Sequence, residues 1–223
     1  MSRTLMVIGR HAVPDPMTEA VAAIVTAAPM VRCASPQELV TEVAKAALGG
    51  PLDRLDLFDH GREGRLRMGD PVLFDYPTGG GAVTGSDIAQ LLKTYLTGDA
   101  QVRLLGCNTG AGEPGRQLLL QLGEIFGAQR VVYGGLEYLY TIGFDAHGFL
   151  DVLTCPYLYS SKEAVNGPAP ASTDTRVKQC KARAQGEKTD RVEHFSARIT
   201  ALGACPVCGP PQGSGRAQRN PSA

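Results

Sequence analysis

The chain has 223 residues, 43% of them hydrophobic and 20% charged, with 22 basic and 22 acidic side chains. Zero formal net charge removes any global electrostatic reason to expect nucleic acid or a membrane surface as partner, and no apolar run approaches the ~18–20 residues of a membrane span. The six cysteines follow no regular framework, which in a chain of this length points to reduced thiols rather than a disulfide scaffold. The stretch from Met1 to Gly9 is too short and too soon interrupted for a secretory signal, so a cytoplasmic location is expected.

Leu5–Ile8 is an apolar, β-prone run ended by Gly9-Arg10-His11. Thr18–Ala28, rich in alanine and valine, reads as a helix stopping before Pro29, and Met30–Cys33 as a short strand. Ser35 is a good N-cap, with Pro36 at the first helical position and Glu38 three residues after the cap, the spacing of a capping box. Leu39, Val43, Ala46 and Ala47 keep helical spacing until Gly49-Gly50. Leu52–Phe58 is the next strand, ending at Asp59-His60-Gly61. The alternation in Gly64–Gly69 predicts a small hairpin, and Tyr76–Gly81 reads as a loop. Thr84 or Ser86 is placed to cap a helix through Ile88, Leu91, Leu92 and Tyr95. Val102–Leu105 is a buried strand, followed by a helix from about Glu113-Pro114 that carries Leu118, Leu119, Leu122, Ile125 and Phe126. Arg130–Gly135 is a further short strand. Strands alternating with helices predict an α/β fold with a mostly parallel sheet covered on both faces.

Two strand tips carry reactive side chains, His60-Gly61 and Gly106-Cys107. Their separation of 47 residues suits one hairpin plus one crossover helix between neighbouring parallel strands. Carboxyl ends of strands are where open α/β folds keep their sites, and the helix start after Cys107 favours thiolate over thiol. In that arrangement His60 takes the thiol proton and returns it to a leaving amine, while the amides of Gly61 and Cys107 hold the oxyanion.

Leu57-Phe58-Asp59-His60-Gly61 and Leu104-Leu105-Gly106-Cys107-Asn108-Thr109-Gly110 resemble the His-Gly and Cys blocks of caspase-like (clan CD) cysteine peptidases, most nearly the bacterial CHAT-type branch. The resemblance spans roughly Leu52 to Gly135. It implies a caspase-like three-layer sandwich over residues 1–160, a His60–Cys107 dyad as base and nucleophile, no metal and no cofactor. It also implies a protein or peptide substrate, and a regulatory protein partner in the manner of regulated bacterial effectors. Asp59 stands where a small residue is usual before the histidine, and no Gln-Ala-Cys block is present, so aspartate specificity does not carry over. Asp59, Glu137, Asp145 and Asp151 are the acidic candidates for substrate selection, against Arg62, Arg65 and Arg67 of opposite sign.

Several readings compete. A catalytically inactive caspase-like interaction module has the same sequence signature. His147, in a second His-Gly pair, is a rival base; His11 follows the first strand and reads as structural, and His194 as solvated. Gly110-x-Gly112-x-x-Gly115 satisfies a dinucleotide fingerprint with Glu137 beyond it, but Glu113 brings a carboxylate where a pyrophosphate needs positive potential. Cys205-x-x-Cys208, with Cys180 and His194 upstream, is a candidate zinc set of poor spacing. Residues 161–223 read as a linker, charged helical segments and a weakly ordered C-terminal extension.

Overall fold

In the computed structural model the structure describes residues 2–167, without residues 78 and 140. The short apolar runs form a six-stranded sheet. They are β1 (Thr4–Gly9), β2 (Met30–Cys33), β3 (Leu52–Phe58), β7 (Leu96–Leu105), β8 (Val131–Gly135) and β11 (Leu158–Ser160), in the order β11-β8-β7-β3-β1-β2. All neighbours are parallel except β11, which runs antiparallel to β8. Between β3 and β7 the predicted hairpin grows into a three-stranded antiparallel sheet of β4 (Gly61–Arg62), β5 (Arg65–Arg67) and β6 (Val72–Asp75). Beyond β8, β9 (Phe144–Asp145) and β10 (Gly148–Phe149) make a small hairpin of their own.

Alternation along the strands divides the side chains between two faces. Leu5 and Val7, Leu55 and Leu57, Val102 and Leu104 face one side. That side is covered by α2 (Pro36–Ala46), α3 (Ser86–Lys93) and α4 (Gly112–Phe126) through residues such as Leu39, Leu92 and Leu119. Met6 and Ile8, Phe58, Leu105 and Cys107 face the other, beneath α1 (Pro16–Ile24), the β9–β10 hairpin and α5 (Thr154–Tyr157). Helices thus flank a mostly parallel sheet, an architecture compatible with a three-layer sandwich. Helix α6 (Ser161–Asn166) lies beyond residue 160 and continues the packing, with Ala164 buried and its carbonyl accepting from Arg116 Nε.

Local signals fixed several element ends differently from the sequence reading. Helix α1 begins earlier because Asp15 is its N-cap, accepting from the amides of Met17 and Thr18, with Pro16 first in the helix. Ser35 does cap α2, but the Glu38 carboxylate reaches past it to the Ala34 amide, 2.7 Å away. Neither Thr84 nor Ser86 caps α3: Gly85 holds that position at φ 84° with no side-chain cap. Strand β7 starts at Leu96, six residues before the apolar run, because backbone pairing with β3 continues there as Leu52↔Leu96.

Candidate functional site

The chain leaves β1 for β2 on one side and returns to β3 on the other, so the strand order reverses between β1 and β3. The carboxyl ends at such a reversal form a natural crevice. His11 follows β1 there, Asp59 and His60 follow β3, and Cys107 follows β7. The β3–β7 register ends at Phe58↔Leu105. His60 and Cys107 each stand two residues beyond that last pair, so they leave neighbouring parallel strands at the same end of the sheet. Both side chains are buried.

Three small residues lock the tips together. A Cβ on Gly61 would run into the Thr109 hydroxyl and stand 3.0 Å from the carbonyl oxygens of Arg65 and Cys107. A Cβ on Gly106 would lie 3.1 Å from the Gly61 Cα and within 2.6 Å of Leu66. Thr109, fully buried, fills the space both glycines leave and donates to the Arg65 carbonyl at 3.3 Å. The Arg67 amide donates to the His60 carbonyl at 3.0 Å, which makes residues 60 and 67 a hydrogen-bonded pair of the β4–β5 ladder. Gly61 and Leu66 are then the non-bonded pair, and the Gly61 amide points away from β5.

After Cys107 the backbone turns sharply. Asn108 has φ 56° and is, among the described residues, the one non-glycine with positive φ. Asparagine tolerates that region better than most residues, and such strain collects at functional turns. The turn consumes its own amides: Asn108 donates to the Glu137 carbonyl, Thr109 to Gly106, Gly110 to Gly135 and Ala111 to Asn108. Gly110 packs against the Gly134 backbone, Gly115 against Gly110, and Gly112 faces the Glu63 carboxylate. These glycines serve close backbone packing. A phosphate would find the loop amides engaged and two carboxylates, Glu63 and Glu113, at the helix start.

Charge around the site is arranged as two short chains. His60 Nε2 lies 3.1 Å from Asp15 Oδ1, the carboxylate that caps α1. Burial opposes ionisation of Asp15, but the Thr18 amide and the neighbouring His60 outweigh it and hold its carboxyl below the usual range. The second chain runs Asp70–His11–Asp59, with His11 Nδ1 3.3 Å from Asp70 and Nε2 2.9 Å from Asp59. The Asp59 carboxylate also accepts the amides of His60 at 2.6 Å and Gly69 at 2.5 Å. Burial pushes its pKa up, only partly offset by the His60 amide and the His11 ring. The His11 and His60 rings sit 5.4 Å apart.

Gly61 thus packs against the Cys107 backbone, and His60 and Cys107 follow neighbouring strands at one edge of the sheet. Asp59 does not serve as a substrate acid: its side chain is wholly enclosed and spent on internal donors. Glu137 is half-buried beside the cysteine turn, where its carbonyl receives the Asn108 amide. Asp145 is exposed but lies at the opposite edge. Its neighbour Ala146 accepts from Ala27 and Ala28, which lead into the start of β2, and α1 spans the sheet between that end and Asp15. His147 shares this remote position, which removes it as a base for Cys107. Asp151 pairs with Arg54 and Arg103. His11, read as structural, proves to reach the same edge through Asp59. Asp15 and Asp70 were missed, although Asp15-Pro16 before a helical run is itself an N-cap signature.

His11, Asp59 and His60 bring ligand-type atoms within 4.8 Å of one another. In this arrangement the Asp59 oxygens face His11 Nε2 and accept the amides of His60 and Gly69. Cys180, His194, Cys205 and Cys208, and the C-terminal extension from residue 168, lie outside the described residues.

A family model described as a domain of unknown function (DUF4347) matches residues 8–132, a span that contains His11, Asp15, His60 and Cys107. No curated protein and no solved structure matches the chain. No helix among the described residues is long and apolar enough to cross a membrane.

Proposed function

We propose that this chain, which belongs to the DUF4347 family, is a cysteine endopeptidase with a caspase-like fold. The observation that carries the reading is the parallel β3–β7 register, with His60 and Cys107 each two residues beyond Phe58↔Leu105. His60 withdraws the proton from the Cys107 thiol, and the thiolate attacks the scissile carbonyl. The oxyanion is received by the amides of Gly61 and Cys107, fixed dipoles that need no reorganisation as charge develops. His60 then protonates the leaving amine, and water, deprotonated by the same imidazole, hydrolyses the thioester. The turn at Asn108 supports the reading, since a left-handed non-glycine residue directly after the cysteine is the kind of backbone feature that collects at functional sites.

A second reading, an inactive interaction module of the same fold, is favoured by the burial of Cys107 and His60, exposed by only 6% and 7%. One experiment separates the two. The protein is incubated with a thiol-directed activity probe and with a mixed peptide library read by mass spectrometry. A peptidase labels at Cys107 and cuts the library, and loses both in Cys107→Ala. Absence of labelling and of cleavage in the unaltered chain would leave the module reading.

A further inference from the structure

We propose that Asp15 is a positioning residue for His60: its carboxylate holds the imidazole through Nε2, leaving Nδ1 to exchange the proton with the Cys107 thiol. The reaction it serves rests on the peptidase reading, whereas the Asp15–His60 pairing stands on geometry alone. His60 Nε2 and Asp15 Oδ1 are 3.1 Å apart, with side chains only 8% and 12% exposed. At that burial an ion pair is little screened by solvent.

Asp15 is fixed before the imidazole arrives. As N-cap of α1 its Oδ1 accepts the Met17 amide at 3.1 Å and the Thr18 amide at 2.9 Å, and Pro16 sets the first helical residue. The carboxylate therefore cannot swing away without uncapping the helix. The groups around His60 come from three elements. The segment between β1 and α1 presents Asp15 and His11, with Glu19 of α1 acting on Asp15 and Asp70 behind His11. Its own strand end presents Asp59, and Cys107 follows the neighbouring parallel strand β7. The two nearest carboxylates divide the work: Asp59 receives the His60 amide and Asp15 the ring. Asp59 fixes the main chain and Asp15 fixes the imidazole.

In the reaction the S–H bond of Cys107 breaks and an N–H bond forms at Nδ1. The imidazolium so formed keeps its Nε2–H directed at Asp15, which stays ionised throughout. The Nδ1 proton then passes to the leaving amine as the thioester forms. A carboxylate opposite an imidazolium favours the charged ring, and through it the thiolate.

The test uses the full chain with Asp15→Asn and Asp15→Ser, because asparagine and serine cap helices about as well as aspartate. Two quantities are followed against pH: the His60 ring resonances by NMR, and alkylation of Cys107 by iodoacetamide read by mass. Thermal melting reports folding. In both variants we expect the His60 titration to move to lower pH and alkylation near neutrality to slow about tenfold, the equivalent of one pKa unit, with the melt preserved. An unmoved His60 titration in a folded variant overturns the inference even if peptide cleavage persists. Should Cys107 of the unaltered chain alkylate no faster than a free thiol, the peptidase reading falls, and the His60 titration still decides for or against Asp15.

Discussion

Strand β2 ends at the buried Cys33 and strand β7 ends two residues before the buried Cys107, and the two thiols sit in different surroundings. Cys33 closes β2 at the sheet edge, packed among Leu5, Leu39 and Val43. Burial, reinforced by Glu38 and Glu42 of α2, pushes its thiol up to about 12 from 9.0, with Arg10 opposing weakly. Cys107 follows β7 in the interior of the sheet, where the neighbouring strand delivers His60 and a sharp turn at Asn108 redirects the chain. A strand end and burial are common to both thiols, and on the proposed reading only Cys107 is activated. What differs is the setting: the carboxylates of Glu38 and Glu42 act on Cys33, whereas Cys107 follows a strand whose parallel neighbour leads into His60. Cys33 is the inert state that free cysteine usually adopts, and it serves as an internal control for its counterpart.

The contrast is broken most directly by removing each sulfur. Cys107→Ala should abolish probe labelling and library cleavage, while Cys33→Ala leaves both intact; labelling that follows Cys33 instead would reverse the assignment. Next in size is the base. His60→Ala should lower peptide turnover by about a thousandfold, within the range for a general acid–base group, whereas His147→Ala at the far edge should leave initial rates unchanged.

The interlock of the tips can be tested through stability. Gly61→Ala forces a Cβ against Thr109 and two carbonyl oxygens, and should cost about 2–3 kcal/mol of unfolding free energy, as overpacking of a tight site does. Denaturant melts in which the variant matches the parent would mean that the tips have slack. The smallest effect sharpens the Cys33 side of the comparison. A thiol held at about 12 when folded and 9.0 when unfolded binds its proton more tightly in the native state. Stability is therefore lost as pH rises above 9.0, at about 1.4 kcal/mol per pH unit from this group. Cys33→Ser should flatten that alkaline slope in melts taken at successive pH values.

Much of the scaffold was legible because it rests on local chemistry. Apolar runs of four to seven residues, each closed by glycine or a polar turn, marked β1, β2, β3 and β8, and Ser35-Pro36 marked the start of α2. The antiparallel strand β11 and the helix α6 were not legible. Their short runs carry no period of their own and are held by pairing with β8 and packing on α4. Strand β7 was cut short for the same reason: Leu96–Gln101 is partly exposed, and its extended form is set by the partner strand.

The site divides along the same line. By itself the sequence determined which residues could do chemistry: His60 and Cys107, each beside a glycine at the end of an apolar run, because residue type and strand ends are local properties. Only the tertiary structure decided which acids serve them. Asp59 sits next to His60 in sequence, yet its carboxylate turns to His11 and to backbone amides. Asp15, 45 residues earlier, is the acid that meets the ring. Asp145, chemically equivalent in the sequence, is at the far edge. A carboxylate acts only over a few ångströms, and parallel strand order, which is a non-local property, sets those distances.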